Sequence, residues 1–168
     1  MSKSFRLRKW DIADKYSLAE NANNINVWNN VRDYFPHPYT VNDGEQYINM
    51  VINDPDPAVN LAIEVDGNAV GGIGLVLNTD VERITAEIGY WLGEKYWNQG
   101  TMTNVVKEMV EYAFLNFDLV KLYAPVFDFN IASQKVLEKA GFTREAILRK
   151  AAIKNNKIID MHYLSLIK

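Results

Sequence analysis

Between Ala86 and Thr103 the chain reads AEIGYWLGEKYWNQGTMT, a strand-like run that passes through a Gly-containing turn directly into a helix. From Met102 onward, apolar residues fall at Met102, Val105, Val106, Met109, Val110, Ala113 and Phe114. That is the i, i+3, i+4, i+7, i+8 spacing of a helix with one buried face. Leu119 to Val126 follows as a strand. Strand, helix and strand in this order form a crossover unit, with the two strands expected to be parallel and the crossover right-handed. The turn also leaves the first N–H groups of the helix unpaired at the positive end of its dipole, so an anion is expected there.

The flanking chain fits a mixed sheet around this unit. Phe5 to Trp10 alternates apolar and charged residues as a half-exposed strand, and Asp11 and Asp14 offer N-cap oxygens for a following helix. Val31 to Thr40, VRDYFPHPYT, is too rich in proline for a helix interior and reads as an aromatic surface lip. Asn42, Asp43 and Glu45 supply capping residues for a second helix through about Ile52. Val59 to Val65 and Ala69 to Leu77 flank Asp66-Gly67-Asn68, a hairpin signal, and Thr85 to Leu92 adds a third antiparallel strand. Asn130 to Ala140 reads as a helix stopped by Gly141, with Phe142 placed for the C-cap contact. Phe142 to Leu148 and Ile158 to Ile167 close the chain as a hairpin around Asn155-Asn156. The order β α α β β β α β α β β predicts an α/β (α+β) fold in a single domain, 1–168, with helices on the faces of a mixed sheet. Ligands are expected outside the carboxyl ends of its parallel strands, near Leu92 and Val126.

Composition narrows the functional classes. The net charge is -3 and Lys and Arg are spread along the chain, so there is no basic stripe for a nucleic-acid backbone. There is no cysteine, which excludes a disulfide framework, a thiolate zinc site and a covalent Cys intermediate. His37 and His162 lack carboxylates at ligand spacing, so no metal site is expected. Basic residues in MSKSFRLRKWD are not followed by an apolar block, and the run from Ala69 to Leu77 is too short to span a membrane. A soluble cytoplasmic protein is the expectation, and a homodimer is left open.

EIGYWL, YWNQGTMT and NIASQKVLEKAGF, at this spacing, closely resemble the GNAT acyl-CoA N-acetyltransferases, in the branch that includes the ribosomal-protein N-terminal alanine acetyltransferases. FRLRKWD, FPHPYT, GGIGL, REAILR and the final D-x-x-Y-L-S-L also fit, so the resemblance covers nearly the whole chain. It implies a GNAT-like twisted, mostly antiparallel sheet with one splayed parallel strand pair, flanked by helices. It implies acetyl-CoA as acyl donor, with the backbone of Trp97, Asn98, Gln99, Gly100, Thr101, Met102 and Thr103 receiving the pyrophosphate. Trp91 and Leu92 would bond to the pantetheine arm as another strand would, because opened strands leave N–H and C=O groups that an amide-bearing ligand can satisfy. Asn130 and Ser133 match the family's N-x-x-S, where Asn meets the pantetheine end and Ser lies near the thioester sulfur. Met102 and Asn104 depart from the usual Gly or Ala and Glu; Met102 can turn toward the core beside Val105 and Val106.

Transfer of an acetyl group to an amine needs a neutral amine, a polarised thioester and a proton for the departing thiolate. Without cysteine, direct attack in a ternary complex is simplest. Glu87, on the face of its strand shared with Trp91, matches a family position for the base; a pairing with Arg83 or another strand's cation at the sheet edge is the structural alternative. Ser133 is the candidate donor to sulfur, or a helix cap. Asn130 admits both a cap and a ligand role. Tyr90, Tyr123 and Tyr163 each offer a phenol, or core packing, and Asp160 fits a family position or a sheet-pairing role. Tyr34, Phe35, His37 and Tyr39 line an acceptor pocket or anchor the lip. The expected activity is acetyl transfer to a primary amine, on a peptide N-terminus or a small molecule. A non-catalytic acyl-CoA-binding sensor on the same fold is the alternative.

Overall fold

The structure is a computed structural model that describes residues 4–54 and 59–168. Residues 1–3 of the amino-terminal segment read above for a leader lie outside the described residues. Seven strands are hydrogen-bonded in the order β1-β2-β3-β4-β5-β7-β6. They are β1 (Phe5–Arg8), β2 (Val59–Val65), β3 (Asn68–Leu77), β4 (Thr85–Leu92), β5 (Lys121–Phe127), β6 (Thr143–Lys154) and β7 (Lys157–Ile167). The helices are α1 (Lys15–Ala22), α2 (Ile25–Trp28), α3 (Val41–Ile52), α4 (Thr101–Asn116) and α5 (Ile131–Lys139). The sheet is mostly antiparallel, and β4 and β5 form its one parallel pair among the described residues. The expected mixed sheet flanked by helices is therefore present.

Two compact units make up the fold. The first holds the described residues of Met1–Gly74 together with Tyr90–Val105. Its core joins Trp10, Leu18, Ala19, Ala22, Tyr39, Ile48, Ala62 and Ala69, with Phe35, Tyr47, Val51 and Trp91 packed against it. Gly71 is required by close approach, because a Cβ there would strike the Trp91 carbonyl oxygen and come within 3.0 Å of Leu92 Cα. A capping box opens α3: Asp43 N–H donates to Thr40 Oγ1 at 3.2 Å, and Thr40 N–H donates to Asp43 Oδ2 at 2.7 Å. The cap is thus Thr40, one of the lip residues, with Asp43 as its reciprocal partner rather than the cap itself. The single turn α2 was not expected; Asn24 caps it by accepting from Asn26 N–H and Val27 N–H.

The second unit comprises Leu75–Gly89 and Val106–Lys168. Every other residue of β5 is buried, so Leu122, Ala124 and Val126 lie on the inner face. On the part of α4 in this unit, Val106, Met109 and Ala113 are fully buried, as the stripe expected from the sequence requires. Each large side chain so buried contributes about 2 kcal/mol of transfer free energy. Gly141, at φ 100°, ends α5, and Phe142 N–H donates to Leu137 O at 3.0 Å. Asn155 and Asn156 both take positive φ in the final hairpin turn, as do Asp66 and Gly67 in the first. The sequence reading stopped β6 at Leu148, but the strand runs on to Lys154. Its register shifts between Leu148 and Ala152, where Lys150 has φ 52°. Such an irregularity breaks the alternation from which a strand is read.

An ion-pair network ties β1 to the start of α1 in the first unit. Arg8 donates to Asp14 through two nitrogens at 2.6 and 2.7 Å and also bonds Glu64 on β2, which Arg6 reaches at 3.1 Å. Asp14 further accepts from Asp11 N–H at 2.9 Å. Burial pushes the Asp14 carboxyl up, but the bonds from Arg8 and from Asp11 N–H outweigh it and hold the group below its ordinary value. The stabilisation is therefore present above the unfolded-state value and lost as pH falls through the folded one. Asp14→Ala is expected to cost about 2 kcal/mol near neutral pH, because Arg8 stays partly hydrated. The difference from wild type in urea unfolding should shrink below about pH 4.

Candidate functional site

In the first unit, the strand end and turn are held by two side-chain bonds. Trp97 Nε1 donates to the Leu92 carbonyl at 2.7 Å, and Gln99 Nε2 donates to the Lys95 carbonyl at 2.9 Å. Asn98 and Gly100 take φ of 59° and 76°, so the backbone reverses sharply before α4, and a glycine meets the second of these at no steric cost. The first i to i−4 bond of α4 runs from Asn104 N–H to Gly100 O. The amides of Thr101, Met102 and Thr103 precede it and point out of the helix end. Met102 and Thr101 are buried, so the bulky methionine is turned inward, away from these amides. The turn thus gathers N–H groups at the positive end of the α4 dipole.

The lip residues separate into two groups. Tyr34 is 85% exposed, and His37 is exposed with its ring 5.8 Å from that of Trp28. Tyr39 is buried, and Phe35 packs both on it at 5.0 Å and on Trp91 at 5.5 Å. Burial pushes the Tyr39 phenol well up, and the neighbouring Tyr47, also by burial, up to about 12. A polar hollow of about 360 Å³ lies among Glu20, Asn21, Asn24, Glu94 and Lys95. Its charged groups are matched internally: Asn24 and Asn26 donate to Glu94, and Lys95 pairs with Glu20.

In the second unit, β4 and β5 are in parallel register over three pairs, Thr85↔Lys121, Ala86↔Leu122 and Glu87↔Tyr123. Beyond Tyr123, β5 keeps its antiparallel register with β7 as far as Phe127, but the β4 ladder has ended. The far edge of β5 from Ala124 onward thus presents backbone groups outside any strand register. Ala86 and Ile88 are buried, and Glu87 lies between them on the opposite face, beside Tyr123. Asn130 caps α5, its side chain accepting from Ser133 N–H at 3.0 Å. Asn130 and Ser133 are both half-buried, and the Asn130 amide nitrogen lies outside that bond. Asp160 N–H donates to Asp128 Oδ2, and Asp160 itself accepts from Lys150 N–H, so it serves the sheet. His162 Nδ1 meets Gln134 Oε1 at 3.0 Å, and no group of three metal-ligating side chains occurs among the described residues. Asn78 is a residue that the sequence reading passed over. Its Nδ2 donates to Thr85 Oγ1 at 2.7 Å and to the Tyr123 hydroxyl at 3.2 Å. Only its place just after a strand could have marked it.

Residues 4–143 match the acetyltransferase (GNAT) domain family. The chain belongs to the GNAT family. It is 34% identical over 89 residues to the uncharacterized N-acetyltransferase p20 of Bacillus licheniformis, a match covering 53% of this chain and 50% of that protein. The chain spans about half the length of the first curated relatives it matches. The ribosomal-protein-S5-alanine acetyltransferase of Vibrio fischeri superposes with a TM-score of 0.82 at 19% identity, over 97% of this chain and 92% of that one. The spermidine N-acetyltransferase of Vibrio cholerae, solved with CoA and spermine, gives 0.80 at 21% identity, over 97% and 95%. These two likenesses establish the GNAT fold. No helix among the described residues is long and apolar enough to cross a membrane.

Asn130 can be separated into cap and ligand roles. Asn130→Ala should cost about 1 kcal/mol in unfolding free energy, whereas Asn130→Asp keeps the accepting oxygen and should stay within about 0.5 kcal/mol of wild type. Urea titration of the two variants checks both.

Proposed function

We propose that this GNAT protein is an acetyl-CoA-dependent N-acetyltransferase that acts on a primary amine by direct attack in a ternary complex. The observation that carries the reading is the short β4–β5 ladder, which leaves the edge of β5 beyond Tyr123 open to an amide-bearing arm. The Trp97–Thr103 turn supplies amides for the pyrophosphate, and Trp91 and Leu92 supply strand backbone. The Leu92 carbonyl is already an acceptor for Trp97 and so helps to hold the turn. Asn130 offers its amide to the pantetheine end while capping α5.

In the proposed reaction, Glu87 takes a proton from the acceptor, and the freed nitrogen lone pair attacks the thioester carbonyl. The C–N bond forms, the C–S bond breaks, and the thiolate leaves as a thiol with a hydrogen bond or proton from Ser133. Tyr34 and His37, the exposed members of the lip, are proposed to contact the body of the acceptor. A peptide N-terminus and a polyamine are both acceptors of the right class, as the names of the Vibrio neighbours illustrate.

Calorimetry should show acetyl-CoA binding, and a panel of Ala- and Ser-initiated peptides, polyamines and aminoglycosides should reveal thiol release with at least one. Binding without turnover of any amine would favour an acyl-CoA sensor. Glu87→Gln should lower kcat by about 10²- to 10⁴-fold with acetyl-CoA affinity unchanged. A variant with full turnover would remove Glu87 as the base.

A further inference from the structure

We infer that the outer edge of β6 is a docking site for an acidic, extended segment of a partner protein, which adds to the sheet as one more strand. The inference is independent of the acetyltransferase reading above, because β7 separates β6 from β5 and its open edge. Among the described residues β6 pairs with β7 alone and ends the order of strands. It is exposed from Thr143 through Ala151, and the exposure of Ala146 and Ala151 brings backbone as well as side chains to the surface. Such an edge offers a row of N–H and C=O groups to an extended chain. At 12 residues it is also long, whereas proteins that guard an edge usually keep it short.

The charge on this edge selects the occupant. The side chains of Arg144, Arg149 and Lys150 have no ion-pair or hydrogen-bond partner among the described residues. The acidic residues of β6 and β7 are Glu145 and Asp160, and both are engaged. Glu145 pairs with Lys121 at 2.6 Å and bonds Ser165, and Asp160 accepts from Lys150 N–H at 2.8 Å. The edge therefore carries uncompensated positive charge. A second copy of the chain would bring the same cations and no free carboxylate, and like charges set opposite each other destabilise a strand pair. A segment in which Asp or Glu alternates with aliphatic residues meets both the charge and the open backbone.

The irregularity in β6 supplies a place for a side chain. Where the register shifts between Leu148 and Ala152, a hollow of about 480 Å³ is lined by Lys150, Ala151, Ala152, Ile153 and Ile158. Ile153 and Ile158 are 67% and 65% exposed, so the apolar walls of the hollow are uncovered. The bond from Lys150 N–H to Asp160 pins the backbone there. Ile147 and Leu148, both exposed, extend the apolar surface along the strand. In strand addition the main chain supplies affinity and pockets for alternate side chains supply specificity. The hollow takes one aliphatic side chain of the docked segment and so sets its register against Arg144 and Arg149.

Fluorescence anisotropy on the full chain, with labelled decapeptides blocked at both ends so that neither end can be acetylated, tests the site. A decapeptide of alternating Glu and Val should bind with a Kd about tenfold or more below that of its Lys-Val counterpart. Arg144→Glu combined with Arg149→Glu should weaken Glu-Val binding about tenfold, with the melting temperature and the affinity for acetyl-CoA unchanged. A Glu-Pro decapeptide keeps the charge, lacks every second N–H, and should not bind. Equal binding of the Glu-Pro peptide, or of an RNA of the same length, would show a plain anion-attracting surface and overturn the inference. A dimer in sedimentation equilibrium that the Glu-Val peptide leaves intact, or no binding of that peptide at all, would overturn it as well.

Discussion

Three residue pairs, Thr85–Glu87 against Lys121–Tyr123, are the constraint around which the parallel part of the sheet is built. A parallel pair needs a long crossover, here α4, and that helix must bury a full apolar stripe to hold the strands in place. Val105, Val106, Met109 and Ala113 supply the stripe. Because the ladder is so short, β5 is secured chiefly from its other side, by seven antiparallel pairs with β7. Its far edge can then be open without the strand being lost.

Each unit solves a different problem around this constraint. The first gathers aromatic side chains into a core and ties β1 to α1 through Arg8 and Asp14. The Trp97 indole bridges strand end and turn directly. The second unit carries polar groups on the outer face of β5, where Asn78 orders Tyr123 and Lys121 offsets Glu145. Two left-handed residues, Asn98 and Gly100, complete the reversal on which the helix amides depend.

How far the sequence speaks differs from element to element. The hairpin turns at Asp66-Gly67 and Asn155-Asn156, the stop at Gly141 and the stripe of α4 were legible because each is set by residues within one or two turns of each other. The cap of α3 was misplaced by a few positions because Thr40 and Asp43 share the capping between them. The end of β6 was missed because Lys150 breaks the alternation by which a strand is recognised. Met102, an unusual residue in its motif, is turned inward with the core residues that follow it.

By itself the sequence determined the order of elements, the parallel crossover and the family, because local turn chemistry, periodicity and motif spacing act over short stretches of chain. Only the tertiary structure decided that β7 inserts between β5 and β6, that the β4–β5 ladder ends at Glu87, and that Tyr123 stacks on Tyr163 while bonding Asn78. The β4–β5, β5–β7, Tyr123–Tyr163 and Tyr123–Asn78 contacts join residues more than thirty positions apart. Their partners are chosen by strand register and packing, which no local pattern encodes.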